Sequence, residues 1–299
     1  SQIGYMFLAL GVGAFSFGIF HLMTHAFFKA LLFLAAGALT HCLHHEHDIF
    51  RMGGLRTRLP VVFISFLVGS AALAALPFTA GYYSKDGILL AAWEAPGIGP
   101  WLWLGGVLGA LLTGIYSFRL LFVAFFGEAQ TEPDRRPGAR MAIPLLLLAL
   151  LSLLGGAISQ PLDGVLPQAV HPHVPAAVAW LSIGMPLLGV ALAYALFLGG
   201  QLSMAGFAAS GMGRALIETL RSGWRIDALY DALLVNPYRR VARCMKGEPV
   251  DLLYGLVVGL SRLGYRLLAA LQTGELRWYA MTYALGLIGV ILIVLRAVP

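Results

Sequence analysis

Residues 21–41 read HLMTHAFFKALLFLAAGALTH, an unbroken apolar run that carries three titratable side chains in its first half. His21, His25 and Lys29 stand at i, i+4 and i+8. At about 100° per residue they share one helix face and span about 12 Å along the axis. The run extends back to Phe15, so 15–43 predicts one long helix. A bilayer span needs about 20 mostly apolar residues, which this stretch exceeds. A titratable group inside a span is a functional candidate, because burying it is costly. A His–His–Lys file can pass protons through intervening water, and Thr24 lies between the histidines to hydrogen-bond such a water. Metal binding by His21 and His25 lacks an evident third ligand.

Composition extends this reading to the whole chain. Hydrophobic residues make up 59% and charged residues 11%, with mean hydropathy +0.82. Soluble domains carry about 25% charged residues. Apolar runs recur at 60–94, 99–126, 141–158, 176–198 and 276–297, and residues 1–12 read as the last half of a span. The fold class is therefore all-α, a polytopic bundle of transmembrane helices. It has three parts: a transmembrane bundle over 1–198 whose first span is truncated, an amphipathic region over 199–274, and a terminal span over 275–299. The chain opens on Ser1 in apolar sequence without a basic leader and cleavage site, and is expected to be the C-terminal part of a longer protein.

Charge gives the orientation. Loops 44–58 and 127–140 carry Arg51, Arg56, Arg58, Arg135, Arg136 and Arg140, and 199–275 is also Arg-rich. Loops 94–100 and 159–175 contain no Lys or Arg. The alternation predicts a cytoplasmic basic side. It also explains the net charge of +6 without invoking nucleic acid. In 200–273, apolar residues recur at helical spacing around Arg214, Arg221, Arg225, Arg239, Arg240 and Arg262, as in a helix lying at the membrane interface. Pro237 and Pro249 are expected to interrupt or kink it, and several short helices folded back on the bundle fit the pattern as well.

Of the 20 basic residues only three are lysines, Lys29, Lys85 and Lys246, and two of these fall in apolar segments. Arginine stays charged, whereas lysine can lose its proton when buried, so lysine at depth suits a group that must switch. Lys85 lies in LPFTAGYYSKDGILL, 76–90, where Pro77 and Gly81 predict a helix break. Broken helices at membrane depth are tolerated where they line a cavity. Ser84 is expected at the N-cap of the second half-helix, with Asp86 beside Lys85 favouring its charged form.

Other clusters carry less. His41, Cys42, His44, His45, Glu46 and His47 lack the spacing of a closed zinc site and read as an interfacial loop, as do His171 and His173 opposite. Arg119, near a helix end, is expected to be interfacial or deep enough to pair with a carboxylate. No nucleotide loop or Fe–S cysteine cluster appears, and the two cysteines lie far apart. Redox chemistry is expected on other chains.

Residues 1–41, together with HHEHDIFRMGGL (44–55), LPFTAGYYSKDGIL (76–89), WRIDALYDALLVNPY (224–238) and LRWYAMTY (276–283), resemble the L-subunit family of antiporter-like membrane subunits in bacterial respiratory complex I, NADH:quinone oxidoreductase. The likeness runs through the whole chain in order. The first motif is shared with Mrp-type antiporters and membrane hydrogenases, and the tail is more particular to the L type. The resemblance implies a proton-translocating subunit of the bacterial inner membrane, coupled to quinone reduction elsewhere in the complex. His21, His25 and Lys29 match the family's central relay, and Lys85 with Asp86 its second broken helix near the periplasmic exit. The amphipathic region matches an extended lateral helix that braces neighbouring antiporter-like subunits. Flavin, Fe–S clusters and quinone are expected on partner subunits, and no cofactor or metal on this chain. The family's first half, with another broken helix, its lysine and a paired glutamate, is absent, so this chain alone is expected to hold half a pathway. A sodium/proton antiporter subunit and a purely structural brace remain as alternatives.

Overall fold

In a computed structural model, residues 1–158, 165–166, 174–200, 204–246, 249–272 and 274–297 are described; they form helices and, among them, no strand. His171 and His173 lie outside this set. The chain divides into two compact units, Ser1–Gly206 and Phe207–Pro299. Among the described residues, six helical stretches suffice by length and composition to cross a membrane: Phe15–Cys42, Gly99–Phe125, Ala139–Ala157, Ala176–Phe197, Asp251–Leu271 and Leu276–Ala297.

The first unit is built around α2 (Phe15–Cys42), a single helix of 28 residues as the sequence predicts. At 1.5 Å per residue it is about 42 Å long, beyond the roughly 30 Å of a hydrocarbon core. Gly18, His21, Thr24, Phe28, Leu31, Ala35, Ala38, Leu39 and Cys42 are buried, one stripe repeating every three or four residues. The stripe meets α1 (Gln2–Gly11), α3 (Pro60–Leu73), α4 (Ala80–Glu94) and α6 (Ala139–Leu154). Alanines within it let neighbouring backbones approach, which is the main source of helix association where lipid removes the hydrophobic drive.

On the other flank α5 (Gly99–Phe125) packs along α7 (Ala176–Phe197). Their crossing is built on Gly114 and Gly189: a Cβ on Gly189 would fall 2.3 Å from the Leu111 carbonyl oxygen. Pro186 lies inside α7 and Pro144 inside α6.

The 60–94 run is broken as expected, but not by the expected residues. Helix α3 ends with the Leu76 amide on the Ala71 carbonyl (2.9 Å) and Ala75 at φ 61°, a Schellman-type stop with alanine where glycine is usual. Phe78 also has positive φ, 68°. Gly81 acts instead through size, since a Cβ there would lie 1.8 Å from the Ala72 carbonyl oxygen. Ser84 is not the N-cap: Thr79 holds that position, and Ser84 is the fifth residue of α4. Lys85 therefore sits inside the half-helix rather than at its start.

At one end of the unit the two Arg-bearing loops are knitted together. The amides of Gly53, Gly54 and Arg56 donate to carbonyls of Ala124, Phe126 and Phe125, Arg58 pairs with Glu132 (2.9 Å), and His44 lies 3.6 Å from Asp134. The side-by-side placement of these loops agrees with the charge alternation that put them on one membrane face.

In the second unit, the amphipathic run is segmented. After the short α8 (Ala205–Ala209), α9 (Gly211–Arg221) is capped by Ser210 and stops where Gly223, Trp224 and Arg225 all take positive φ. Then α10 (Ile226–Tyr230) continues through a π turn, Asp231–Val235, into α11 (Asn236–Met245). Pro237 thus does not interrupt the run. Its ring conflicts with the carbonyl four residues earlier, at Leu233, and the widened π turn at that position makes room. Two longer helices follow, α12 (Pro249–Leu271) and α13 (Leu276–Ala297). The sequence reading put 200–273 at the interface, yet α12 is apolar enough to cross. Its charges, Asp251, Arg262 and Arg266, fall on one narrow stripe and leave the rest of the surface apolar, so composition fits both placements.

Candidate functional site

Where α1, α2 and α4 meet, a buried polar cluster surrounds His21. The imidazole is fully buried, with Nδ1 2.9 Å from Ser84 Oγ and Nε2 3.1 Å from Gln2 Oε1. Thr24 Oγ1 is 2.8 Å from Ser84 Oγ and 3.2 Å from the carbonyl oxygen of His21, alternative acceptors for its one hydrogen. Gln2 Nε2 donates to the carbonyl of Leu73, the last residue of α3, at 3.4 Å. Both halves of the broken helix thereby hold the ring of a residue on the unbroken one.

Lys85, one residue beyond Ser84, is 1% exposed. Its Nζ finds no hydrogen-bond partner among the described residues and lies 4.2 Å above the centre of the Tyr5 ring. The Tyr5 hydroxyl donates to the Gly106 carbonyl at 2.6 Å, and its ring meets that of His21 edge-on at 6.4 Å between centres. A cation over an aromatic face is stabilised by the ring quadrupole, by about 2 kcal/mol when desolvated. Such a contact is weaker than a carboxylate partner would be, which suits a head group that changes protonation. Asp86 is not that partner. It shares with Lys85 a narrow cavity of about 10 Å³, room for about one water, lined also by Tyr82 and Ser182.

The His–His–Lys file splits in the structure. His25 is half-buried, its ring 6.2 Å from that of His21 and edge-on to Phe28 at 5.3 Å. Lys29, a turn further, leaves the cluster for a separate cavity of about 270 Å³ lined by Leu32, Phe66, Ser70, Tyr116 and Ser117, with Nζ 5.0 Å from the centre of the Phe33 ring. Ser117 Oγ is buried there without a partner among the described residues. His21 and Lys85 therefore share one neighbourhood, and Lys29 another.

Gln2 and Tyr5 carried no signal in the sequence, because their roles depend on helices about 70 to 100 residues away in the chain. Thr24, expected to hydrogen-bond a water, lies within reach of Ser84 and of its own helix's His21 carbonyl. Arg119 lies over the rings of Phe50 (5.5 Å) and Phe197 (5.6 Å), with no ion pair among the described residues. Among those residues no three His, Cys, Asp or Glu side chains converge as a metal site; His41 and His45 meet edge-on at 6.5 Å.

A bundle of membrane-length helices thus encloses a broken helix, a buried lysine and a histidine on the adjoining intact helix. Residues 1–113 match the family described as NADH:quinone oxidoreductase/Mrp antiporter, transmembrane. Over nearly its whole length the chain is similar to NADH-quinone oxidoreductase subunit L. Identity is 49% with that of Pseudomonas aeruginosa, over 96% of this chain and 47% of the relative, and 43% with that of Escherichia coli, over 99% and 49%. The chain NADH-ubiquinone oxidoreductase chain 5 of Cryptococcus neoformans is 34% identical over 98% of this chain and 49% of its own length. The chain thus spans about half the length of these relatives. In fold it matches the Mrp complex of Dietzia sp., with TM-score 0.54 and 22% identity over all of this chain and 30% of that one.

Proposed function

We propose that this chain is part of a proton-translocating membrane subunit of an NADH:quinone oxidoreductase. Protons move along α2 by way of Lys29, His25 and His21 and pass to Lys85 at the helix break, with Asp86 at the adjoining cavity. The observation that carries this reading is Lys85: buried, without a hydrogen-bond partner among the described residues, and beside a fully buried His21. Buried unpaired polar groups are costly unless used. Residues 1–198 form the translocating bundle, 199–274 run along neighbouring antiporter-like subunits, and 275–299 anchor the end in the bilayer. The Arg-rich loops face the cytoplasm across the bacterial inner membrane. Flavin, Fe–S clusters and quinone belong to partner subunits.

The test replaces Lys85 by Met in the full-length protein and measures proton pumping and NADH oxidation in membrane vesicles. With the complex assembled, pumping per NADH is expected to fall at least about tenfold, since one lost proton-transfer group is worth roughly 10²–10⁴ in rate. Unchanged pumping sinks the relay. A second reading, a sodium/proton antiporter subunit, draws on the Mrp relationship of the fold. Pumping that requires sodium would favour it.

A further inference from the structure

The hydrogen bonds around His21 determine where it can accept a proton. The NH₂ of Gln2 faces the Leu73 carbonyl, so its Oε1 faces the ring. An oxygen there demands a donor, so His21 Nε2 carries a hydrogen and the neutral ring is a bare acceptor at Nδ1. Ser84 has one hydroxyl hydrogen, and the 2.9 Å contact directs it to Nδ1. Thr24 then donates to Ser84 Oγ across 2.8 Å.

A proton arriving at Nδ1 reverses that one bond. The cationic ring donates at both nitrogens, and Ser84 must turn its hydrogen away. Two acceptors await it: the carbonyl oxygens of Ala80 and Gly81, each 3.3 Å from Ser84 Oγ, in the first turn of α4. Ser84 Oγ has two lone pairs, one for His21 Nδ1–H and one for Thr24, which does not move. Every buried donor remains paired in both states.

We propose that Ser84 is a hydroxyl rotor that lets His21 take up and release a proton at Nδ1, with Thr24 and Gln2 as its fixed frame. The inference rests on the relay reading above. Charge and atoms balance: one proton moves to Nδ1 from a protonated neighbour, which loses the charge that His21 gains, and only the Ser84 O–H rotates. The titratable groups facing the ring are His25 on α2, Tyr5 on α1 and, across the Tyr5 ring, Lys85 on α4. Ser84 is thus a positioning residue acting through His21. Because its alternative acceptors belong to α4, each protonation of α2 changes a bond within the broken helix.

The experiment uses the full-length subunit in its membrane complex, with ¹⁵N-labelled histidine read by solid-state NMR and proton pumping measured on the same membranes. The His21 resonance is identified by its loss in His21→Ala. Wild type is expected to show the Nε2–H tautomer. In Ser84→Ala, Gln2 still fixes the Nε2–H tautomer, but Nδ1 loses its donor, so its resonance moves to that of an unbonded acceptor nitrogen, and pumping falls about tenfold, the equivalent of one lost buried hydrogen bond. Ser84→Thr restores both. Thr24→Val, on the unbroken helix, removes the donor that steadies Ser84 Oγ and is expected to lower pumping with the Nε2–H tautomer intact; it serves where Ser84→Ala does not assemble. The rotor is overturned if Ser84→Ala leaves the Nδ1 resonance where it stands in wild type, if Thr24→Val leaves pumping unchanged, or if Ser84→Thr fails as badly as Ser84→Ala. Wild-type pumping in His21→Ala overturns the relay itself, whereas inactive His21→Ala beside unaffected Ser84→Ala overturns the rotor alone.

Discussion

Helix α2 and the pair α3–α4 cross the same bundle by different means. The first does so in one piece of 28 residues, every interior amide bonded within the helix, and needs polar residues only for what its side chains do. The pair consists of 14 and 15 residues, each about 21–23 Å long at the helical rise and too short to cross alone. Between them the backbone gives up regular bonding, and the carbonyl of Leu73 is left for a side chain of α1 to satisfy. Interrupted backbone at membrane depth persists only where protein covers it. Here the cover is α1 and the His21 face of α2. The break thus does two jobs: it frees an acceptor that orients His21 through Gln2, and it starts a half-helix whose interior presents Ser84 and Lys85 to that ring.

The comparison is broken most severely at Gly81. A Cβ there meets the Ala72 carbonyl oxygen at 1.8 Å, and neither atom is on a flexible side chain. Gly81→Ala is expected to cost more than about 3 kcal/mol, above the usual range of an overpacked core. Loss of the assembled subunit from membranes would show it. Recovery of Gly81→Ala at wild-type level would mean that the two half-helices slide freely, which the close approach contradicts.

On the intact helix the matching change is milder. Ala35 is fully buried in the α2 stripe, within the main apolar cluster. Ala35→Leu is expected to destabilise by about 1–3 kcal/mol through displaced neighbours, while the helix itself persists. Denaturant titration of the detergent-purified protein should show a lowered midpoint with unchanged slope. A cost equal to that of Gly81→Ala would erase the distinction between the two regions.

Much of this contrast was readable in the chain. Period and length alone specify α2, and Pro77 with Gly81 mark 60–94 as interrupted. The details that make the site were not readable, for identifiable reasons. Ala75 and Phe78 adopt positive φ although neither is a residue type that favours it, so the turn is imposed by the packing of α4 on α3 rather than by local preference. Ser84 after a glycine and a proline looks like a cap, yet the helix begins four residues before it, at Ala80. Gln2 and Tyr5 sit in an apolar stretch with no titratable neighbour, and only the folded bundle brings them to His21 and Lys85. Proline at 237 misled in the opposite direction, because a π turn upstream absorbs it.

The smallest expected effect is also the one of opposite sign. Ala75 holds φ 61°, where a Cβ is crowded by the neighbouring backbone at a cost of roughly 1–2 kcal/mol. Glycine removes that crowding but adds freedom to the unfolded chain, so Ala75→Gly is expected to stabilise by only about 0.5–1 kcal/mol. The gain would appear as a rise in Tm of the purified protein. The corresponding substitution inside α2, Ala38→Gly, should lose about 1 kcal/mol, because there the backbone is helical and alanine is the better residue. Opposite signs for the same chemical change would show that the break is held by tertiary packing against local preference, while the intact helix is held by both. Losses at both positions would mean that residue 75 keeps its conformation without strain.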